Sequence, residues 1–135
     1  MADLAALGVS VQRKFVTVDE ADVTEVVVTL PKSTGVEASF SMEGLADKLL
    51  KIFTREIQVG DPLFDEHVHI KTDTPEATEA LLQSTDLRAI IERVITNEGA
   101  IEIDGANVKL EMPGRHDKDD EVFVLFVQTL LAHAH

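Results

Sequence analysis

The segment AIEIDGANVKLEM, Ala100 to Met112, constrains the fold most strongly, because its pattern is that of a β-hairpin. Apolar and polar residues alternate on both sides of Asp104–Gly105, which is the period of a half-buried strand. An Asp-Gly pair suits a two-residue type I′ turn, in which both central residues have positive φ. We therefore predict a hairpin that turns at Asp104–Gly105 and closes at Pro113–Gly114. Its alternating apolar residues are Ile101 and Ile103 before the turn and Val108, Leu110 and Met112 after it.

The first third of the chain also has the composition of strands. Val11–Val18 is rich in β-branched residues, but its alternation slips near Phe15 and Val16. A bulge at that point would reconcile the two halves, so we predict one there. The acidic turn Asp19–Asp22 separates this strand from the next.

Two further runs follow that turn. Val23–Leu30 is rich in valine, and Val36–Met42 alternates cleanly between apolar and polar residues. The loop between them contains Pro31 and a Lys-Ser-Thr-Gly turn, so we predict that the two runs form a hairpin. The residues of the first run that share one face are Thr24, Val26, Val28 and Leu30.

Other stretches have the spacing of amphipathic helices. The first follows Ser41, a plausible N-cap, and its apolar stripe extends over 45–53. A second begins at Thr74–Pro75, where threonine suits the cap and proline the first helical position. Ser84 and Thr85 restart the helix, and Gly99 is placed to end it. The stripe of this restarted helix is Leu87, Ile90, Ile91, Val94 and Ile95.

The remaining segments complete the order of elements. Glu56–Val59 and Phe64–Lys71 have strand patterns, and the apolar run from Val122 follows acidic residues that favour a helix N-terminus. The predicted order is β-β-β-α-β-β-α-α-β-β-α, with hairpins rather than regular βαβ units. We therefore predict one α+β domain over residues 1–135, with a mainly antiparallel sheet and helices packed on one face.

Composition excludes several classes of function. The net charge of −13 repels nucleic acid and anionic membrane surfaces, which bind clusters of Lys and Arg. No apolar run is long enough to span a membrane, so we expect a soluble protein without membrane insertion. The chain has no cysteine, which excludes disulfides, thiolate nucleophiles and cysteine metal sites but leaves the redox compartment open.

The segment FDEHVHIK, Phe64 to Lys71, comes closest to a chemical motif. On a strand, His67 and His69 lie on one face with Asp65, and this is a spacing that a metal site can use. Two imidazoles are too few ligands, and polar residues at alternate positions are also typical of a solvated strand face. We favour the solvated face and keep a metal or ligand site at these three residues as the alternative.

Other catalytic motifs do not occur. The sequence contains no G-x-S-x-G elbow and no phosphate-binding glycine loop. His116–Glu121 resembles a cation-binding loop in charge alone, because the ligand register of an EF-hand is missing. We therefore expect neither an enzyme nor a cofactor, although an acid/base site among the many carboxylates stays open.

The middle of the chain resembles a family of bacterial domains of unknown function. The resemblance rests on the upstream VGDPLFD (Val59–Asp65), the strand residues Val68–Ile70 with Asp73, and Ala80–Leu82 before a following helix. The later hairpin strand before Pro113–Gly114 fits the same pattern. These motifs are structural and cover about half of the chain. The resemblance implies a cytoplasmic location, and it offers no catalytic residues.

We therefore predict a non-enzymatic accessory or protein-interaction domain that binds a protein partner or associates with itself. Assembly is expected through a sheet edge or through the apolar C-terminal helix. If that helix is not covered within one chain, dimerisation would cover it. The residues predicted for such an interface are Phe123, Phe126 and Val127.

Overall fold

The computed structural model describes residues 4–42 and 55–133 of the chain. The helix predicted over 45–53 and the terminal His135 lie outside the described residues. The strands are β1 (Ser10–Val18), β2 (Ala21–Thr29), β3 (Glu37–Ser41), β4 (Arg55–Ile57), β5 (His69–Thr72), β6 (Ala100–Asp104) and β7 (Asn107–Pro113). The helices of the described residues are α1 (Pro62–His67), α2 (Pro75–Leu81), α3 (Thr85–Thr96) and α4 (Glu121–His133), with a short 3₁₀ helix at Ala5–Leu7.

The seven described strands form one sheet in the order β1-β2-β7-β6-β3-β5-β4. Every pairing between neighbours is antiparallel. The helices pack on one face, where Phe40 and Ile101 of the central strands join the core of the protein. The predicted α+β class, with a mainly antiparallel sheet and helices on one face, is thus confirmed.

The core is formed by the residues that alternation and helical spacing indicated. Thr24, Val26 and Val28 of β2 are buried. The predicted stripe of α3 is buried at all its positions: Leu87, Ile90, Ile91, Val94 and Ile95. No helix within residues 4–42 and 55–133 is both long and apolar enough to cross a membrane.

β1 and β2 form a hairpin without a bulge. Their register runs unbroken from Ser10 opposite Thr29 to Val18 opposite Ala21, so the predicted bulge near Phe15 and Val16 is wrong. The alternation of apolar and polar residues in β1 is imperfect for another reason. β1 lies at an edge of the described sheet, and charged side chains cover its face towards the helices. The Arg115 guanidinium lies 4.4 Å from the centre of the Phe15 ring there.

The predicted hairpin between β2 and β3 is also wrong. β2 pairs with β1 and β7, whereas β3 pairs with β5 and β6. The 30–36 loop instead crosses the tip of the β6–β7 hairpin. Leu30 N donates to Ala106 O at 2.7 Å, and Gly105 N donates to Val36 O at 2.9 Å. These long-range hydrogen bonds replace the local pairing that the alternation suggested.

The β6–β7 hairpin forms as predicted, but its turn is displaced by one residue. Asp104 pairs with Asn107, so the turn residues are Gly105 and Ala106. Gly105 has a φ of 64°, whereas Ala106 does not have a positive φ, so the turn is not type I′. Thr34 donates from both its backbone N and its hydroxyl to Gly105 O, which fixes the turn at this position.

Two helix starts agree with the sequence, although the cap predicted at Thr74 does not form. Ser84 caps α3, since its hydroxyl accepts a hydrogen bond from Leu87 N at 3.2 Å. α2 begins at Pro75, but the Thr74 hydroxyl makes no cap bond. It accepts from Glu37 N at 2.9 Å instead and ties the start of α2 to β3.

The end of α3 is built differently from the prediction. The left-handed residue is Glu98, with a φ of 67°, and Gly99 does not have a positive φ. Glu98 N donates to Ile95 O and Gly99 N to Val94 O, both at 3.0 Å, which is a Schellman motif. Gly99 is needed for space, because a Cβ there would lie 2.8 Å from Val94 Cγ1 and 2.9 Å from Val94 O.

The strand predicted from Phe64 is wrong in its first half. Residues Pro62–His67 form α1, and strand pairing begins at His69. Asp61 caps this helix by accepting from Phe64 N, and Pro62 occupies the first turn. An aspartate followed by proline is a helix-start signal, and this signal outweighs the short alternating pattern after it.

Candidate functional site

The two histidines of FDEHVHIK do not share a strand face. His67 is the last residue of α1, and its Nδ1 lies 3.2 Å from Glu92 Oε1 of α3. His69 is the first residue of β5, and its Nε2 contacts Glu56 Oε1 of β4. Each imidazole therefore has its own carboxylate partner on a different element.

Asp65, the third residue of the metal alternative, holds a turn. Its Oδ1 accepts from Val59 N at 2.9 Å and its Oδ2 accepts from Gly60 N at 3.0 Å. Within the described residues, no three His, Asp or Glu side chains converge to hold a metal ion. The metal alternative stays a prediction, which calorimetric titration of the protein with zinc would test.

The terminal helix is covered by its own chain at the predicted interface residues. Phe123, Phe126 and Val127 are at most 1% exposed. The two phenylalanine rings stack with their centres 6.1 Å apart within the core. The condition for dimerisation through these three side chains is therefore not met, and Leu125 is the large apolar residue of α4 that faces solvent.

The sheet offers a better interaction surface at its β1 edge. β1 is nine residues long and pairs with β2 on one side, and no described strand lies on its other side. The opposite edge of the described sheet is β4, which has three residues. A strand at an edge presents unpaired N–H and C=O groups, and its capacity to bind another strand grows with its length.

The open backbone groups of β1 can be assigned from the pairing of β2. Asp22 O accepts from Gly114 N and Leu30 N donates to Ala106 O, both at 2.7 Å, so even-numbered residues of β2 point towards β7. These residues lie opposite odd-numbered residues of β1. In an antiparallel ladder, opposite residues either bond each other or both point away. The β1 residues that direct their backbone groups to the open edge are thus Val11, Arg13, Phe15 and Thr17.

The edge strand is held in place by an ion pair to the segment before α4. Arg13 Nη2 contacts Asp119 Oδ1, and Arg13 Nη1 donates to Asp117 O at 3.0 Å. Leu4 N donates to Asp119 Oδ2 at 2.8 Å. Partial burial by itself would raise the pKa of Asp119, but the bond from Leu4 N and the charge and bond of Arg13 outweigh it. The pKa of Asp119 is therefore held below its usual 3.8.

No protein-family model, curated protein or solved structure matches this chain. The resemblance to bacterial domains of unknown function therefore stays a prediction, and the candidate site depends on geometry.

The sequence contains a local signal that β1 lies at the edge of a sheet. Arg13 and Lys14 stand together in the middle of an otherwise strand-like run. Charged side chains, lysine above all, are typical of edge strands, where they hinder unwanted pairing. Which strand would lie at the edge still depended on the long-range insertion of β7 beside β2.

Proposed function

We propose that this chain is a non-enzymatic protein-interaction domain that binds an extended segment of a partner along the open edge of β1. The observation that carries the proposal is the length of β1, nine residues that have a strand of the described sheet on one side only. Strand addition uses backbone hydrogen bonds for affinity and alternate side chains for specificity. We place this function in the cytoplasm, in keeping with the location that the family resemblance implies.

The ion pair of Arg13 supports this role because it orders the edge before a partner arrives. Arg13 is bound on the helix side of the sheet to Asp119 and to Asp117 O. A pre-ordered strand loses less conformational entropy on binding than a flexible one. The partner therefore meets a strand that is already extended and held at its centre.

The side chains of β1 favour a partner of different sequence over a second copy. Lys14 is the central residue of β1 and is exposed. Antiparallel pairing of two copies about the strand centre would place Lys14 opposite Lys14, and like charges directly opposite each other are destabilising. We therefore propose a partner segment that places an acidic residue opposite Lys14.

Synthetic peptides test the proposal. The probe is an extended peptide as long as β1, made of alternating threonine and valine with one central glutamate, and its matched control carries lysine at that position. We expect the glutamate peptide to bind more tightly in calorimetric titration, by about two- to fivefold, which is the range of a cross-strand charge pair. Lys14→Glu should reverse this preference.

A second substitution separates the edge from the general charge of the protein. Lys32 is exposed in the 30–36 loop, outside β1, so Lys32→Glu changes the net charge as Lys14→Glu does. We expect the Lys32→Glu protein still to bind the glutamate peptide more tightly than the lysine peptide. Equal effects of the two substitutions, or no binding of either peptide, would refute strand addition at β1.

A further inference from the structure

A half-open cavity lies where the end of α3, the strand β7 and the start of α4 meet. Its volume is about 310 Å³, within the range of small-molecule sites. This cavity is separate from the edge of β1, since its strand residues all belong to β7. The residues that carry the argument are Val94, Leu110, Met112 and Val122 in its walls, and Glu98 and Asp120 among its polar groups.

The walls of the cavity are apolar and firmly placed. Val94 and Leu110 are buried members of the core, and Met112 and Val122 pack against that core from the cavity side. Gly99 brings the chain close to Val94 at this point, since no Cβ fits there. An apolar ligand group entering the cavity would therefore contact a preformed surface and lose water from both sides.

The polar groups of the cavity are mainly negative. Glu98 contributes a carboxylate, and the C-terminus of α3 adds the partial negative charge of a helix end. The carboxylate of Asp120 accepts from Phe123 N at 3.0 Å and offsets the partial positive charge at the start of α4. His116 is held at the cavity by a 2.6 Å contact between its Nε2 and Pro113 O. No lysine or arginine is among the cavity residues of the described chain, so the field at the opening favours a cation.

We propose that this cavity binds a small ligand with an apolar body and a cationic amine. The apolar body occupies the space between Val94, Leu110 and Met112, and the ammonium group lies at the opening near Glu98. The overall charge of −13 adds a long-range attraction for the same class of ligand.

Three probes with one ring and different polar groups test this assignment. They are cyclohexylmethylamine, cyclohexylmethanol and cyclohexanecarboxylate, titrated into the isotopically labelled protein at neutral pH and followed by NMR. We expect saturable shifts of the methyl signals of Val94, Met112 and Val122 with the amine, weaker shifts with the alcohol and none with the carboxylate. Equal binding of all three probes, or shifts at other methyl groups, would overturn the proposal.

Two substitutions sharpen the test. Glu98→Gln removes the charge and keeps the shape, and we expect it to weaken binding of the amine by about two- to fivefold without affecting the alcohol. Glu79→Gln removes a carboxylate from the exposed face of α2, outside the cavity. It should change the binding of neither the amine nor the alcohol. If Glu79→Gln weakens amine binding as much as Glu98→Gln does, the attraction is one of net charge and the site is wrongly assigned.

Discussion

Two neighbouring residues at the end of α3 are constrained in different ways, one by its backbone angle and the other by the space around it. Glu98 adopts a left-handed conformation with a φ of 67°, and Gly99 leaves no space for a Cβ beside Val94. We expect Gly99→Ala to lower the free energy of unfolding by about 1–3 kcal/mol, since the added methyl group overpacks the core. Urea denaturation measures this change.

The matched substitution is Glu98→Gly, which places glycine where the left-handed conformation occurs. It should raise the free energy of unfolding by about 0.5–1 kcal/mol, because the strain of the side chain is relieved. A neutral Gly99→Ala together with a destabilising Glu98→Gly would mean that the two roles are assigned in the wrong order.

Asp119 makes stability depend on acid pH. Its folded pKa lies below the unfolded value of 3.8, so its contribution is fully present above that value and is lost as the pH falls through the folded pKa. We expect the wild type to be more stable than Asp119→Asn at neutral pH, with a difference that shrinks as the pH falls below 3.8. Thermal unfolding of both proteins as a function of pH measures it, and a difference that stays constant into strong acid would contradict the ion pair.

At the scale of elements, the β1–β2 hairpin carries strain in its turn. Asp19 and Glu20 have φ angles of 52° and 67°, although neither is glycine. Turns of this kind prefer glycine at the second position, so Glu20→Gly should raise the free energy of unfolding by about 0.5–1 kcal/mol. Glu20→Ala is the control, since it removes the charge but keeps the Cβ. If Glu20→Ala raises the free energy of unfolding as much as Glu20→Gly does, the effect is due to the loss of charge and not to the backbone.

Local signals predicted elements well where a cap or a periodic stripe was present. The apolar stripe of α3 and the start of this helix at Ser84–Thr85 are both confirmed. The errors arose where tertiary hydrogen bonds decide the structure, as at Gly105, whose turn is fixed by Thr34 from a loop far away in the sequence. The alternation of β2 and β3 was likewise correct in each strand, yet it carried no information about which strand lies beside which.

At the scale of the whole molecule, the fold class followed from the pattern but the candidate site did not. Edge strands are defined by the order of the sheet, and that order depends on the insertion of the β6–β7 hairpin between β2 and β3. The histidines illustrate the same limit, because His67 is the last residue of α1 whereas His69 is the first residue of β5.

The net charge of −13 should also affect the molecule as a whole. Like charges repel in the compact state, and salt screens this repulsion. We expect the melting temperature at neutral pH to rise when the ionic strength is increased from about 0.01 M to 0.15 M. A fall over this range would indicate that favourable ion pairs, such as that of Arg13, outweigh the general repulsion.

Amide hydrogen exchange along β1 tests strand addition most directly. In the free protein, the amides of Val11, Arg13, Phe15 and Thr17 should exchange faster than those of the residues between them, which bond to β2. On binding the glutamate peptide, exchange at these four amides should slow, while exchange at β4, the opposite edge of the described sheet, stays unchanged. Uniform exchange along β1 in the free protein, or peptide binding without protection at these four amides, would contradict the account.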